Sequence, residues 1–264
     1  MNVDQRLTVL IADDSSVLRK KLREFLVGIT PDMEILEVEN GNLALKAIID
    51  HRIDIVFLDI NMPELSGLHA LHLLKKKGDS IFVVLMSGNA DETVIRAGNE
   101  LGSYDFLEKP FSSDRVRQVL RAYSNLSARK KVLIVDDSAT VRKIIYRVLG
   151  HCRFDMLISE VNSGKEALAL MRGTHPDIIF LDYHMPDLNG VEAAHCIRAA
   201  SPLVKIVMIS SKDLSGQKSE CRDAGIFCLV KKPFFPKEVD FILHRLYGLN
   251  MPQSLEQTPN LTLL

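Results

Sequence analysis

The chain has 264 residues, 47% hydrophobic and 25% charged, with a net charge of −1 at neutral pH. That is long enough for two domains of ordinary size and ordinary globular composition, and the balanced charge gives no electrostatic pull toward nucleic acid or an acidic membrane. No apolar run approaches the ~20 residues of a membrane span, and Met1-Asn-Val-Asp-Gln-Arg lacks a signal-peptide core, so the chain reads as soluble and cytoplasmic.

Leu7-Thr-Val-Leu-Ile-Ala12 is a short apolar strand that ends at Asp13-Asp14. Ser15 or Ser16 then caps a helix whose apolar face is Leu18, Leu22, Phe25 and Leu26. Met33–Glu39 reads as a second strand, Asn40-Gly41 as a turn and Leu43–Ile49 as a short helix. Asp54-Ile-Val-Phe-Leu-Asp59 is a third strand, closed by Ile-Asn-Met-Pro63; a short, wholly apolar run of this kind suits a strand buried on both faces of a parallel sheet. Gly67–Lys77 forms a third helix with Leu68, Leu71, Leu73 and Leu74 on one side, and Ile81–Met86 a fourth strand, closed by Ser87-Gly88. Asp91–Glu100 is a weakly apolar helix. Tyr104–Leu107 is a fifth strand, followed by Glu108-Lys109-Pro110-Phe111 and a helix carrying Val116, Val119, Leu120 and Tyr123.

The pattern then starts again. Asp13-Asp14 returns as Asp136-Asp137, Asp59 as Asp182, Gly67 as Gly190, Ser87 as Ser210 and Lys109-Pro110-Phe111 as Lys232-Pro233-Phe234. Each displacement is 123 residues (182 − 59), so the halves share one spacing. Two alternating β/α runs predict two α/β domains, each a parallel sheet covered on both faces. The expected boundaries are a first domain at 1–124, a short linker at 125–130 that limits relative motion, a second domain at 131–248 and a disordered tail at 249–264. The other reading of the tail is a docking peptide using Leu261, Leu263 and Leu264. All four cysteines lie in the second half, without metal-finger spacing or a disulfide framework, and read as small, mostly buried hydrophobes.

The chemistry collects at strand ends. In a parallel sheet the ends carrying Asp13-Asp14, Asp59 and Ser87, with Lys109 beyond the fifth strand, lie along one edge, where open α/β sheets bind ligands. Three crowded carboxylates raise one another's pKa, a conflict that a hard divalent cation removes. Asp59 is then a nucleophile toward phosphoryl, Lys109 a point positive charge and Ser87 a hydroxyl donor. Such a set suits phosphoryl transfer to an aspartate.

This constellation, repeated in order and at equal spacing, resembles a pair of receiver domains, the phospho-acceptor modules of two-component response regulators. The resemblance covers nearly the whole chain except the tail. It implies two consecutive flavodoxin-like, doubly wound (βα)5 domains with strand order 2-1-3-4-5. It implies phospho-acceptors at Asp59 and Asp182, one Mg²⁺ per domain held by Asp13, Asp14 and Asp59 or by Asp136, Asp137 and Asp182, and Asp14 and Asp137 as the closer acids. The backbone carbonyls of Asn61 and His184 complete those sets. Ser87 and Ser210 match the Ser/Thr switch and Lys109 and Lys232 the phosphate-binding lysine, with a cis bond expected at Lys109-Pro110 and Lys232-Pro233. The partners implied are a histidine kinase or phosphotransfer protein, a downstream protein, or a second copy through the face of the fourth helix, fifth strand and fifth helix. No nucleic-acid-binding, membrane or enzymatic output segment is expected.

The sequence departs from the family where the two halves also differ. An aromatic often stands three residues before the lysine; here Phe106 and Leu229 occupy the position. Beside the acceptor the first copy has Asn61 and Asn89, the second His184 and Lys212. Different phosphoryl lifetimes are therefore expected on Asp59 and Asp182. Simpler roles exist for each group: helix-end charge for the Asp pairs, capping for the serines, surface exposure for the lysines. A phosphatase of the haloacid-dehalogenase type would want a second Asp where Asn61 and His184 stand. Two further rivals are a binding scaffold with the second receiver silent and a remnant of a tandem-receiver diguanylate cyclase.

Overall fold

A computed structural model describes residues 6–77, 81–89, 91–252, 255 and 261–264. The chain divides into two compact units, 1–124 with 252–254, and 125–251 with 255–264.

The first unit alternates strands and helices: β1 (Leu7–Ala12), α1 (Ser16–Ile29), β2 (Met33–Val38), α2 (Gly41–Asp50), β3 (Ile55–Asp59), α3 (Gly67–Lys77), β4 (Phe82–Ser87), α4 (Glu92–Leu101), β5 (Asp105–Glu108) and α5 (Ser113–Ser127). Its five strands are all parallel, in the order β2-β1-β3-β4-β5. β3 is the centre, and its four apolar residues Ile55 to Leu58 are each 0% exposed. Alternation along the strands divides the core into two layers. Val9, Ile11, Ile55, Phe57, Val84 and Met86 face α1 and α5, where Leu22, Leu26, Val116 and Val119 meet them. Leu10, Val56, Leu58 and Leu85 face the other way, onto Ala44, Ala70 and Leu71. Burial of an apolar side chain of this size is worth about 1.5–3 kcal/mol, which makes these two layers the main source of stability.

The second unit repeats the plan with β6 (Lys130–Val135), α6 (Ala139–Gly150), β7 (Met156–Val161), α7 (Gly164–Leu170), β8 (Ile178–Asp182), α8 (Gly190–Ala200), β9 (Lys205–Ser210), α9 (Lys218–Asp223), β10 (Cys228–Lys231) and α10 (Pro236–Leu246). The fold class is as expected, two flavodoxin-like α/β domains. Three local differences appear. Residues 125–130, read from sequence as a linker, are mostly regular structure, because α5 continues to Ser127 and β6 begins at Lys130. The fourth helix of the second domain is short, a single 3₁₀ turn at Ser215–Gln217 followed by six residues of α9. The tail expected to be disordered contains a strand, β11 (Leu261–Leu263), antiparallel to β10. The second sheet therefore has six strands, β11-β10-β9-β8-β6-β7. The edge of β10 offers unpaired backbone groups, and an apolar Leu-Thr-Leu segment can satisfy them.

The helices start where side-chain oxygens replace missing backbone partners. Ser15, Asn40 and Asp91 cap α1, α2 and α4; Ser138, Ser163 and Asn189 cap α6, α7 and α8. Ser15 and Ser138 each follow an Asp-Asp pair, so the cap fixes the turn that carries those acids.

Candidate functional site

Parallel register brings the predicted groups together at the carboxyl end of each sheet. Asp59 lies opposite Met86, one residue before Ser87, and Ser87 lies opposite Glu108, one residue before Lys109. The Lys109 ammonium is 2.6 Å from Asp13 Oδ2 and 2.9 Å from Asp59 Oδ1. In the second domain Lys232 Nζ is 2.6 Å from Asp136 Oδ2 and 2.8 Å from Asp182 Oδ1. Asp13, Asp59, Asp136, Asp182, Ser87 and Ser210 are buried, whereas Asp14 and Asp137 are exposed. The two Lys-Pro bonds are cis.

Each set converges three carboxylates. Ligand atoms of Asp13, Asp14 and Asp59 lie within 4.8 Å of one another, as do those of Asp136, Asp137 and Asp182. Asp13 Oδ2 is buried and accepts no well-aligned hydrogen bond; its neighbour is the lysine charge. Three carboxylates at this spacing, two of them buried and sharing one lysine, fit a small hard cation. Burial pushes the Asp59 carboxyl above the usual range, opposed by the Lys109 hydrogen bond and charge and by the Asn61 backbone N–H. The neighbouring Asp13 pushes the same way as burial. Asp182 is raised for the same first reason, with Lys232 opposing and Asp136 and Asp137 adding to the rise. In both domains the lysine is the main influence working against that rise, and a second cation would act in the same direction.

The remaining predicted positions rim the site. Asn61, Asn89, His184 and Lys212 are exposed beside the acids. Ser87 Oγ accepts the Asn89 backbone N–H at 3.2 Å, and Ser210 Oγ accepts that of Lys212 at 3.0 Å. Phe106 is half-buried on β5 and Leu229 is buried on β10, at equivalent places. The Tyr183 and His184 rings meet at 4.8 Å.

Several supporting residues were missed in the sequence. Arg19 on α1 donates from Nη1 to the Asp13 carbonyl at 2.7 Å and faces Glu37. Arg142 on α6 does the same to the Asp136 carbonyl at 2.8 Å and pairs with Glu160 at 2.9 Å. Both acids also accept a backbone N–H two residues on, from Ser15 and Ser138. The signal was present: Arg142 and Glu160 follow Arg19 and Glu37 by the same 123 residues (142 − 19 and 160 − 37). Gly67 and Gly190 are required by close approach. A Cβ at Gly67 would lie 2.1 Å from the Asp59 carbonyl oxygen, and one at Gly190 would lie 2.5 Å from that of Asp182.

The family model for the response regulator receiver domain matches residues 9–121 and again 132–244. The chain belongs to the response regulator receiver family. The chemotaxis protein CheY of Bacillus subtilis is 30% identical over 117 residues, 44% of this chain and 97% of that protein. CheY of Listeria monocytogenes is 36% identical over 115 residues, 43% of this chain and 95% of that protein. An uncharacterized response regulatory protein of Vibrio cholerae is 37% identical over 115 residues, and the match spans only 43% of its length and 43% of this chain. A solved two-component system response regulator/GGDEF domain protein superposes with a TM-score of 0.62 at 24% identity, over 96% of this chain and all of that one. That likeness concerns the fold. Among the described residues no helix is long and apolar enough to cross a membrane.

Proposed function

We propose that this chain is a tandem-receiver response regulator that accepts phosphoryl groups on Asp59 and Asp182 and signals through protein–protein contacts. The observation that carries the reading is the pair of equivalent sites, each with a buried acceptor carboxylate held by a lysine and flanked by two more acids. In the step proposed, the Asp59 oxygen not engaged by Lys109 attacks the phosphorus of a phosphohistidine on a kinase or phosphotransfer protein. The P–N bond breaks, its electron pair returns to the imidazole, and an acyl phosphate is left on Asp59. Lys109 then turns its charge from a bare carboxylate pair to the phosphoryl oxygens. Ser87 releases the Asn89 N–H to donate its hydroxyl to the same group. Asp182, Lys232 and Ser210 repeat these roles.

Mg²⁺, when bound, neutralises the negative charge that accumulates between acids and phosphate. Asp13, Asp14, Asp59 and the Asn61 carbonyl would hold it in the first domain; Asp136, Asp137, Asp182 and the His184 carbonyl would hold it in the second. The exposed Asp14 and Asp137 are the acids free of the lysine, which agrees with their reading as the closer ligands.

The two acyl phosphates differ in surroundings. His184 and Lys212 can pair with phosphate and hinder water where Asn61 and Asn89 cannot. The test is phosphorylation of the Asp59→Asn and Asp182→Asn variants by acetyl phosphate with Mg²⁺, followed by the decay of each adduct after the donor is removed. A longer-lived group on Asp182 is expected. Equal decay would remove the tuning role, and adducts that form as readily in excess chelator would remove the metal from the reading.

A further inference from the structure

Among the described residues, the second domain carries a strand that has no counterpart in the first. Among the described residues β5 is the last strand of the first sheet, whereas β10 is paired along its outer edge by β11. The pairing is antiparallel, with Cys228 opposite Leu263, Leu229 opposite Thr262 and Val230 opposite Leu261. The Leu264 N–H donates to the Phe227 carbonyl at 3.1 Å. The Leu264 side chain packs on the second domain's core, the cluster that holds Ile226 and Leu229. This is a seated strand, with a ladder along its backbone and an apolar anchor at its end. It lies beside the residue that stands where the family's aromatic would be.

The strand also borders the chemistry. A cleft of about 310 Å³ is lined by Leu261 and Thr262 together with Ser210 and Lys212. Ser210 Oγ now accepts the Lys212 N–H, which ties the loop after β9 to the wall of this cleft. When that hydroxyl turns to a phosphoryl group on Asp182, the Lys212 amide loses its acceptor and the loop is freed to move against β11. Leu229, which stands in place of an aromatic ring, lines the same cleft as Ser210, Leu261 and Thr262.

We infer that β11 is an intramolecular occupant of a strand-docking site on the outer edge of β10, and that phosphorylation of Asp182 loosens it. In the resting chain the last strand closes the edge by backbone pairing, the mode by which an extended peptide adds to a sheet. Phosphorylation opens that edge to an extended apolar segment of a partner with the same Leu-Thr-Leu alternation. By linkage, weakening β11 must favour the phosphorylated state of Asp182 by the same factor, about 5- to 150-fold for couplings of the usual size. The linkage to Asp182 rests on the function proposed above; the docking site itself does not.

The docking site is tested with the full-length chain and the synthetic peptide Asn-Leu-Thr-Leu-Leu, copied from residues 260–264. Leu264→Asp puts a charge in the apolar seat, and Thr262→Pro removes a backbone donor in mid-strand. Both variants are expected to bind the labelled peptide at least tenfold more tightly than wild type, whose site is filled. Equal binding by wild type and variants, or binding by none of them, overturns the inference. A circular dichroism spectrum unchanged from wild type keeps global unfolding from mimicking the result.

The linkage is tested by hydrogen exchange at segments 227–231 and 261–264 with acetyl phosphate and Mg²⁺, alongside intact mass. Loss of protection in both segments, together with an Asp182 adduct, is expected. An adduct with unchanged protection refutes the linkage and leaves the acceptor reading intact. No adduct on Asp182 refutes the acceptor reading for that domain and the linkage with it, whatever the peptide shows.

Discussion

Lys109→Met is the substitution whose consequence follows most directly from the geometry. Its ammonium lies 2.6 Å from Asp13 Oδ2 and 2.9 Å from Asp59 Oδ1, with only 12% of the lysine side chain exposed. At an effective dielectric of about 20, each contact is worth about 6 kcal/mol of gross attraction. Desolvation of the ions and repulsion between the two acids take back most of that. Removing one partner of a buried ion pair costs about 3–5 kcal/mol, because it leaves uncompensated charge inside. The expected loss for the first domain at neutral pH, without metal, is therefore about 3–5 kcal/mol. It should shrink as the pH falls, since the orphaned acids can take protons, and it should shrink when millimolar Mg²⁺ replaces the missing positive charge. The assay is urea unfolding of the full chain read by hydrogen exchange, which reports each domain by its own peptides. A loss under about 1 kcal/mol, or one that Mg²⁺ leaves unchanged, would refute the claim that Lys109 is the counter-charge of these acids.

Three further outcomes are expected. Gly67→Ala should cost more than about 2 kcal/mol, since its Cβ would meet a backbone oxygen at 2.1 Å that cannot rotate away; Gly28→Ala, with nothing within 4 Å on α1, should gain up to about 1 kcal/mol by helix propensity. Urea midpoints of the two variants would show opposite signs. In α10, burial raises the Asp240 carboxyl from 3.8 to about 6 and lowers His244 from 6.5 to about 4. Asp240 alone makes stability fall as pH rises from about 4 to 6, because the folded state holds its proton longer. His244 alone makes stability fall as pH drops from about 6.5 to 4, because the unfolded state takes the proton first. Each effect amounts to about 3 kcal/mol by linkage, and they oppose. Asp240→Asn should therefore leave a second domain that loses stability on acidification through that window, and His244→Gln one that gains it; parallel pH profiles for the two variants would contradict the assignment. Arg142→Met should free the Asp136 carbonyl and the loop before α6, weakening Mg²⁺ binding about 10-fold or more, as loss of a residue that orients metal ligands does. Unchanged affinity by titration calorimetry would argue against that positioning role.

Much of this was legible in the sequence, for a physical reason that can be stated residue by residue. Ile55 to Leu58 form a buried strand because nothing polar interrupts them before Asp59, and the repeat at Ile178 to Leu181 removes any doubt about period. Parallel strands must end at one edge, so the convergence of Asp13, Asp59, Ser87 and Lys109 followed from order alone. Arg19 and Arg142 escaped because an arginine on the polar side of an amphipathic helix looks like any solvated residue. Its carbonyl partner is set by the turn geometry at Asp13 and Asp136. His244 looked ordinary for the opposite reason: its burial depends on Phe154, which packs edge-on against it from another element. β11 was read only under the second alternative for the tail, a docking peptide using Leu261, Leu263 and Leu264, because three residues carry too little pattern to announce a strand. It exists through the edge it pairs with, a tertiary cause that local sequence does not encode.

Whether the chain holds two working phospho-acceptors is decided by intact mass after incubation with acetyl phosphate and Mg²⁺. Wild type should gain up to two phosphoryl groups, Asp59→Asn and Asp182→Asn one each, and the double variant none. A double variant that still takes up phosphoryl groups, or a wild type that takes up none, would contradict it.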